Sequence, residues 1–429
     1  MTTKLAIYGG TPVRNRPLPL PFPGASVYGE EEKRAALDVI GRQSPFRYYG
    51  ADVAGKTKQF EIAFSERIGC GYALGVTSGT AALVVALKSL GIGPGDKVIV
   101  PANTFIATAN AVVMAGAVPV FADIDDSLNI NPNEIGRLAE ADPSVKAVIA
   151  VPILGNPCEM DKVMEQAAKH KLKVIEDVAQ SCGSRYKGMH SGAFGDMACF
   201  SLQMNKIITT GDGGIVVTNQ AELYERAVRY HDQGFFRDKE LFEGMAVADV
   251  PFAGQNFRMS EINGAIALEQ LKKLDGIIAA MRAIKRRIKD GIRGVQGIAF
   301  RKINDEEGDA GNALVMMLPD AQIASRFHDV LNAEGITASV LYEGRPVYMH
   351  EHVMQRRTAD RDGFPFNFFT DFPSYKVGMC PDAEQLLPRC IAISLSPVFQ
   401  ESDADDVIKG ILKAAEGLLS EGDQGQVHH

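Results

Sequence analysis

Residues 198–214 read ACFSLQMNKIITTGDGG, and this stretch decides the fold. An apolar run carries a hydroxyl at Ser201 and leads to Lys206, which has no other charge within four residues on either side. A glycine-rich turn at Gly211, Gly213 and Gly214 follows. Upstream, VIEDVAQ (174–180) reads as a buried strand that ends in an acid. A lone lysine between apolar strands, with an aspartate from another strand end, suits an aldehyde cofactor. The amine forms a Schiff base and the carboxylate keeps a ring nitrogen protonated. A surface lysine in a strand–loop connection would leave the serine, the glycines and the aspartate unexplained.

Outward from this stretch, residues from about 60 to 275 alternate short apolar runs with helical periodicity. The runs fall at 73–76, 97–100, 118–124, 147–151, 172–176, 197–202 and 214–218. Near-continuous apolar strands predict an α/β fold, a mostly parallel seven-stranded sheet covered by helices on both faces. After Ser78, Leu83, Ala86, Leu87 and Leu90 form one helical stripe. A helix over 260–278, a basic helix over 281–294, a strand over 313–318, a helix near 321–335 and a closing helix over 403–419 predict a smaller C-terminal α/β domain. The expected organisation is therefore an extended, Pro-rich arm over 1–30, a large domain over 31–278 and a small domain over 279–429. Residues 343–376 read as a long loop, whose Arg345, Tyr348, His350, Arg356 and Arg357 either contact a substrate or are solvated.

Composition narrows the partners. The 429 residues are 46% hydrophobic and 23% charged, with net charge −8 and no long basic run, which argues against nucleic acid as a partner. No apolar stretch has membrane-spanning length, and the opening MTTKLAIYGGTPVR lacks a secretory apolar run, so a cytoplasmic protein is expected. Six scattered cysteines without CxxC read as reduced thiols, and no metal site is expected.

Four features fall at strand carboxyl ends, where open α/β sheets collect ligands. TSGTAAL (77–83) opens a helix, so Gly79 and Thr80 can bind phosphate or simply follow a Ser/Thr cap. PANTFIA (101–107) places Phe105 to stack on a planar ring or to join the core. Asp177 is followed by Gln180; a carboxylate ~4 Å from a pyridinium contributes roughly 4 kcal/mol at an effective dielectric near ~20. That is about three pKa units, enough to keep the ring nitrogen charged. Ser201 and Lys206 complete the set.

These motifs, with GDKVIVPANTFIATANAVVMAGAVPVFADID (95–125), FSLQMNKIITTGDGGIVVTN (200–219) and GQNFRMSEINGAIALEQL (254–271), resemble the DegT/DnrJ/EryC1/StrS family of pyridoxal-phosphate sugar aminotransferases of fold type I. The resemblance implies pyridoxal 5′-phosphate on Lys206, with Asp177 at its ring nitrogen and Gln180 at its ring oxygen. It implies Phe105 against the ring, and Gly79, Thr80 and Ser201 on the phosphate. Asn256 resembles a residue that reaches a neighbouring subunit's phosphate, so a homodimer with composite sites is expected; a loop cap is the other reading. The implied reaction moves an amino group from glutamate or glutamine to a keto-sugar, nucleotide-linked or free. FRYYG (46–50) and residues 305–319 are loosely similar to aminotransferases that make 8-amino-8-deoxy octulosonate sugars, and Arg47 either pairs with an acceptor's acid group or lies on the surface. Two departures stand out: GDGG replaces the usual GEGG, and VPILG (151–155) lacks the histidine often found there. A sugar dehydratase on the same fold commonly replaces the lysine with histidine, which Lys206 argues against. A regulatory relative would not need the intact constellation.

Overall fold

The structure is a computed structural model that describes residues 4–237, 251–370 and 374–419. Its main sheet takes strands β1 (Tyr72–Val76), β2 (Lys97–Pro101), β3 (Val118–Ala122), β4 (Val145–Ala150) and β5 (Lys173–Asp177). A hairpin of β6 (Arg185–Tyr186) and β7 (Met189–His190) stands apart, and β8 (Met197–Ser201) and β9 (Gly214–Thr218) complete the sheet. The spatial order is β1-β9-β8-β5-β4-β2-β3. Only β9 runs against its neighbours, and the pairs β2–β3, β2–β4, β4–β5 and β5–β8 are parallel.

All five residues of β2, β8 and β9 are buried, as a sheet covered on both faces requires. The helix Gly79–Ser89 is buried from Ala81 through Leu87, not along one stripe alone. An apolar helix with no wet face belongs between layers. It packs on β8 and β9 and touches the helices Ile106–Met114 and Ala221–His231.

The C-terminal unit has an antiparallel sheet. It is formed by β10 (Ala299–Phe300), β11 (Ala313–Met317), β12 (Ser339–Val340) and β13 (Cys390–Ser394), in the order β10-β11-β13-β12. Helices Ala321–Ala333 and Glu401–Leu418 share its core through Phe327, Leu331, Val407 and Ile411.

Three expectations need correction. The helices expected at 260–278 and 281–294 are one helix of 31 residues, Glu261–Gly291. Ile277, Ile278 and Met281 serve the large-domain core, and Ile284 and Ile288 the small-domain core. The boundary at 278/279 thus lies inside a rigid element that both units share. The arm is not free-standing: Leu5 and Leu18 enter the small-domain core. Arg14 pairs with Asp403 and Asp406, both at 2.8 Å. Residues 343–370 and 374–376 are not a solvated loop either. Val347, Tyr348, Val353, Phe366 and Tyr375 join the large-domain core; each fully buried aliphatic or Phe side chain contributes roughly 1.5–3 kcal/mol.

Candidate active site

A cavity of about 500 Å³ opens at the carboxyl ends of β5 and β8 and at the helix start after β1. Gly79, Thr80, Phe105, Asp177, Gln180, Ser201 and Lys206 all line it. Its volume lies within the rough 300–1,000 Å³ span of small-molecule sites.

One wall is built for an anion. Ser78 caps the helix Gly79–Ser89, its hydroxyl accepting from Ala81 N at 3.1 Å. The first amides of the helix have no intrahelical acceptor and sit at the positive end of its dipole. Gly79 is required by proximity: a Cβ there would lie 2.8 Å from Ser201 Cβ. Ser201 Oγ accepts from Gln203 N at 3.3 Å, which leaves its proton available. Gly214 allows a second close approach, since its Cβ would sit 2.2 Å from Ser78 O. Asp212, the departure in the GDGG turn, accepts from Asn263 Nδ2 through its carbonyl at 2.8 Å and leaves the turn intact.

The same cavity holds the pair Asp177 and Lys206. Asp177 ends β5 beside β8, in register with Cys199. It is buried, and burial pushes its carboxyl up, opposed by bonds from Thr108 and Ala179 and by the Lys206 charge. Burial likewise pushes the Lys206 amine down, opposed by Asp177. The two groups thus lean toward their neutral forms, and a cation placed beside Asp177 would restore its charge. Phe105 is 55% exposed at the start of the helix Ile106–Met114, so it is a rim residue and not a core ring.

The resulting donor set fits pyridoxal 5′-phosphate: a helix start with a glycine cradle for phosphate, a buried carboxylate for a ring cation, and an amine of lowered pKa for an aldehyde. Among the described residues, no group of three or more His, Cys, Asp or Glu could hold a metal, and no helix is long and apolar enough to cross a membrane.

Several residues at the site escaped sequence reasoning. Thr108 donates to Asp177 Oδ2 at 2.8 Å. Tyr342 accepts from Gln180 Nε2 at 2.7 Å. Phe22 and Asn312 line the cavity from the arm and the small domain. Gly24 N, just past the arm's prolines, donates to Lys206 O at 3.2 Å. Only Thr108 left a signal, as one of two polar residues, with Asn110, in the mostly apolar helix IATANAVVM.

Other candidates lie elsewhere. Arg47 is buried, its guanidinium spanning both Glu61 oxygens at 2.7 and 2.8 Å, so it is neither a surface residue nor free for an acceptor. Arg345, Tyr348, His350, Arg356 and Arg357 do not line the cavity. Tyr348 is fully buried and bonds Glu384. Asn256 is exposed and outside the cavity of its own chain. It does not cap the helix Glu261–Gly291, because Ser260 does, accepting from Asn263 N. In the segment lacking histidine, Leu154 faces the cavity.

The family model described as the DegT/DnrJ/EryC1/StrS aminotransferase family matches residues 51–412. A GDP-perosamine synthase of Escherichia coli O157:H7 is 36% identical over 303 residues, 69% of this chain and 77% of that protein. The spore coat polysaccharide biosynthesis protein SpsC of Bacillus subtilis (strain 168) is 30% identical over 412 residues, 94% of this chain and 98% of that one. Among solved structures, S. venezuelae DesV superposes with a TM-score of 0.76 at 27% identity, covering 90% of this chain and 95% of that chain.

Proposed function

The chain belongs to the DegT/DnrJ/EryC1/StrS aminotransferase family, and on that premise we propose that it uses pyridoxal 5′-phosphate to move an amino group from glutamate or glutamine to the ketone carbon of a nucleotide-linked sugar. The observation that carries this reading is Lys206 and Asp177 lining one cavity, each pushed by burial toward its neutral form. The relative named GDP-perosamine synthase supports a nucleotide-linked acceptor.

When bound, the cofactor supplies an electron-withdrawing ring that takes up the electron pair released as the donor α-carbon loses its proton. The rest belongs to this chain. The Gly79 and Thr80 amides and the Ser201 hydroxyl hold the phosphate. Phe105 covers the ring, Gln180 donates to its ring oxygen, and Asp177 keeps its nitrogen protonated. Lys206 would hold the cofactor through its aldehyde group. Its amine, when free, would take the α-proton from the donor. With the acceptor bound, the same amine moves a proton the other way, onto the former carbonyl carbon of the sugar. The side-chain amide of Asn256 from a second copy would complete the phosphate site, which makes the working unit a homodimer.

Borohydride reduction and peptide mapping should place the pyridoxyl group on Lys206. Glutamate or glutamine should shift the visible absorption, and a nucleotide-linked keto-sugar should return it. Label on Lys187, an exposed residue paired with Asp161, would reassign the attachment point. No spectral response to either donor would count against amino transfer.

A further inference from the structure

Gln180 is gripped from two sides. Leu154 N donates to Oε1 at 3.4 Å, and Nε2 donates to the Tyr342 hydroxyl at 2.7 Å. A backbone N–H can only donate, so it fixes which end of the amide is oxygen, and Nε2 must face the phenol. The two gripping residues share an unusual backbone. Leu154 has φ 48°, and Tyr342, Glu343 and Gly344 form a left-handed run with φ of 48°, 57° and 70°. Bulky residues rarely adopt this region, and such strain persists where the surroundings over-determine it. Both grips are themselves braced. Arg301, from the segment after β10, donates to Ile153 O at 2.8 Å and Leu154 O at 2.6 Å. The Tyr342 turn follows β12 and closes with Arg345 N on Tyr342 O at 3.1 Å.

We propose that Tyr342 is a positioning residue that fixes the Gln180 amide from the small-domain side, leaving the second N–H of Nε2 free for the cofactor's ring oxygen. The inference rests on the pyridoxal 5′-phosphate reading above. Burial pushes the Tyr342 hydroxyl well up, so it stays a neutral partner to the amide through the working pH range. Among the described residues, the hydrogen-bond partner of this phenol is Gln180 Nε2.

The test is a double-mutant cycle on the apoprotein, with the dissociation constant of added pyridoxal 5′-phosphate as readout. Tyr342→Phe and Gln180→Leu should each raise it by about threefold to tenfold, the range of one neutral hydrogen bond. The double variant should be no worse than Gln180→Leu alone, because both changes remove one shared interaction. Tyr342→Phe should also move the pH midpoint of the visible absorbance in the same direction as Gln180→Leu. An unchanged constant in Tyr342→Phe, or effects that multiply, would overturn the proposal. Wild type that takes up no pyridoxal phosphate would overturn the cofactor reading itself, and this inference with it. Should Tyr342→Phe not fold, a crystal structure of the wild-type holoenzyme decides. Gln180 Nε2 shared between Tyr342 and the ring oxygen supports the role, and Gln180 turned away from Tyr342 ends it.

Discussion

Thr108 donates its hydroxyl proton to Asp177 Oδ2 at 2.8 Å, and Thr104 Oγ1 lies 2.7 Å behind it in the same buried chain. A carboxylate deprived of water needs such donors to stay ionised. In this site, Thr108 and Ala179 N offset part of the burial that pushes the Asp177 carboxyl up. The proposed role of Asp177 at a ring nitrogen would therefore depend on a threonine in the helix that Phe105 begins.

Thr108→Val keeps the shape and removes the donor. A hydrogen bond to a charged group contributes ~1.5–3 kcal/mol, so the donor half-reaction should slow by about 10-fold to 100-fold. Thr108→Ser should recover most of the rate. Stopped-flow absorbance with glutamate reads both. Equal rates in Thr108→Val and wild type would show that Asp177 needs no such support.

Asp177→Asn tests the charge itself. Proton removal from the donor should slow far more than cofactor binding weakens. A second readout is the pH dependence of cofactor loading, which needs the neutral Lys206 amine. Burial lowers the Lys206 pKa and the Asp177 charge raises it. Loading should therefore accelerate as pH rises through a midpoint below the free-lysine value of about 10.4. Removing the negative charge should move that midpoint lower still. A midpoint that stays in place would mean that the two groups are not coupled.

Much of this was legible in the sequence because the relevant strands are buried on both faces and end at the cavity. Seven apolar runs became the seven strands of one sheet, and seven of the eight proposed residues line one cavity. What escaped arrives through tertiary contact. Tyr342 meets Gln180 from 162 positions away, and the arm reaches Lys206 only because Leu5, Leu18 and Arg14 anchor it on the small domain. The helix Glu261–Gly291, which periodicity reads as two helices over 260–278 and 281–294, runs straight through Gly276. That glycine has open space around it, and its propensity cost of about 1 kcal/mol is outweighed by packing along both cores. Arg47 was misjudged for a similar reason: its partner, Glu61, lies on the next helix inward, and charge alone does not reveal a buried pair.

Acid should destabilise the fold through two buried histidines. His231 Nε2 lies 3.2 Å from the Tyr48 hydroxyl, and Nδ1 donates to Val228 O at 2.5 Å. Burial pushes His231 down to about 3 and His190 down to about 4. The unfolded chain takes up these protons near pH ~6.5, and the folded chain does not until its lower values. Stability is therefore intact above about pH 6.5 and falls as pH drops from there toward about 4, by up to ~1.4 kcal/mol per unit for each ring. Urea midpoints across that window should show the slope, and His231→Phe should reduce it even though the variant is weaker overall. A slope unchanged in His231→Phe would assign the acid sensitivity to carboxylates.

Asn256 decides whether one chain suffices. It is exposed, lies outside its own chain's cavity, and leaves the capping of the next helix to Ser260. A phosphate dianion needs more donors than one helix start offers, and an amide from a second copy adds one without adding charge. Lys206→Ala and Asn256→Asp should each be inactive as pure proteins. In mixed dimers with composite sites, one site carries both lesions and the other carries neither, so mixing should restore part of the activity. If each chain built its own site alone, every site in the mixture would keep one lesion. Subunit exchange confirmed by mass, with no activity regained, would place Asn256 outside the neighbouring site.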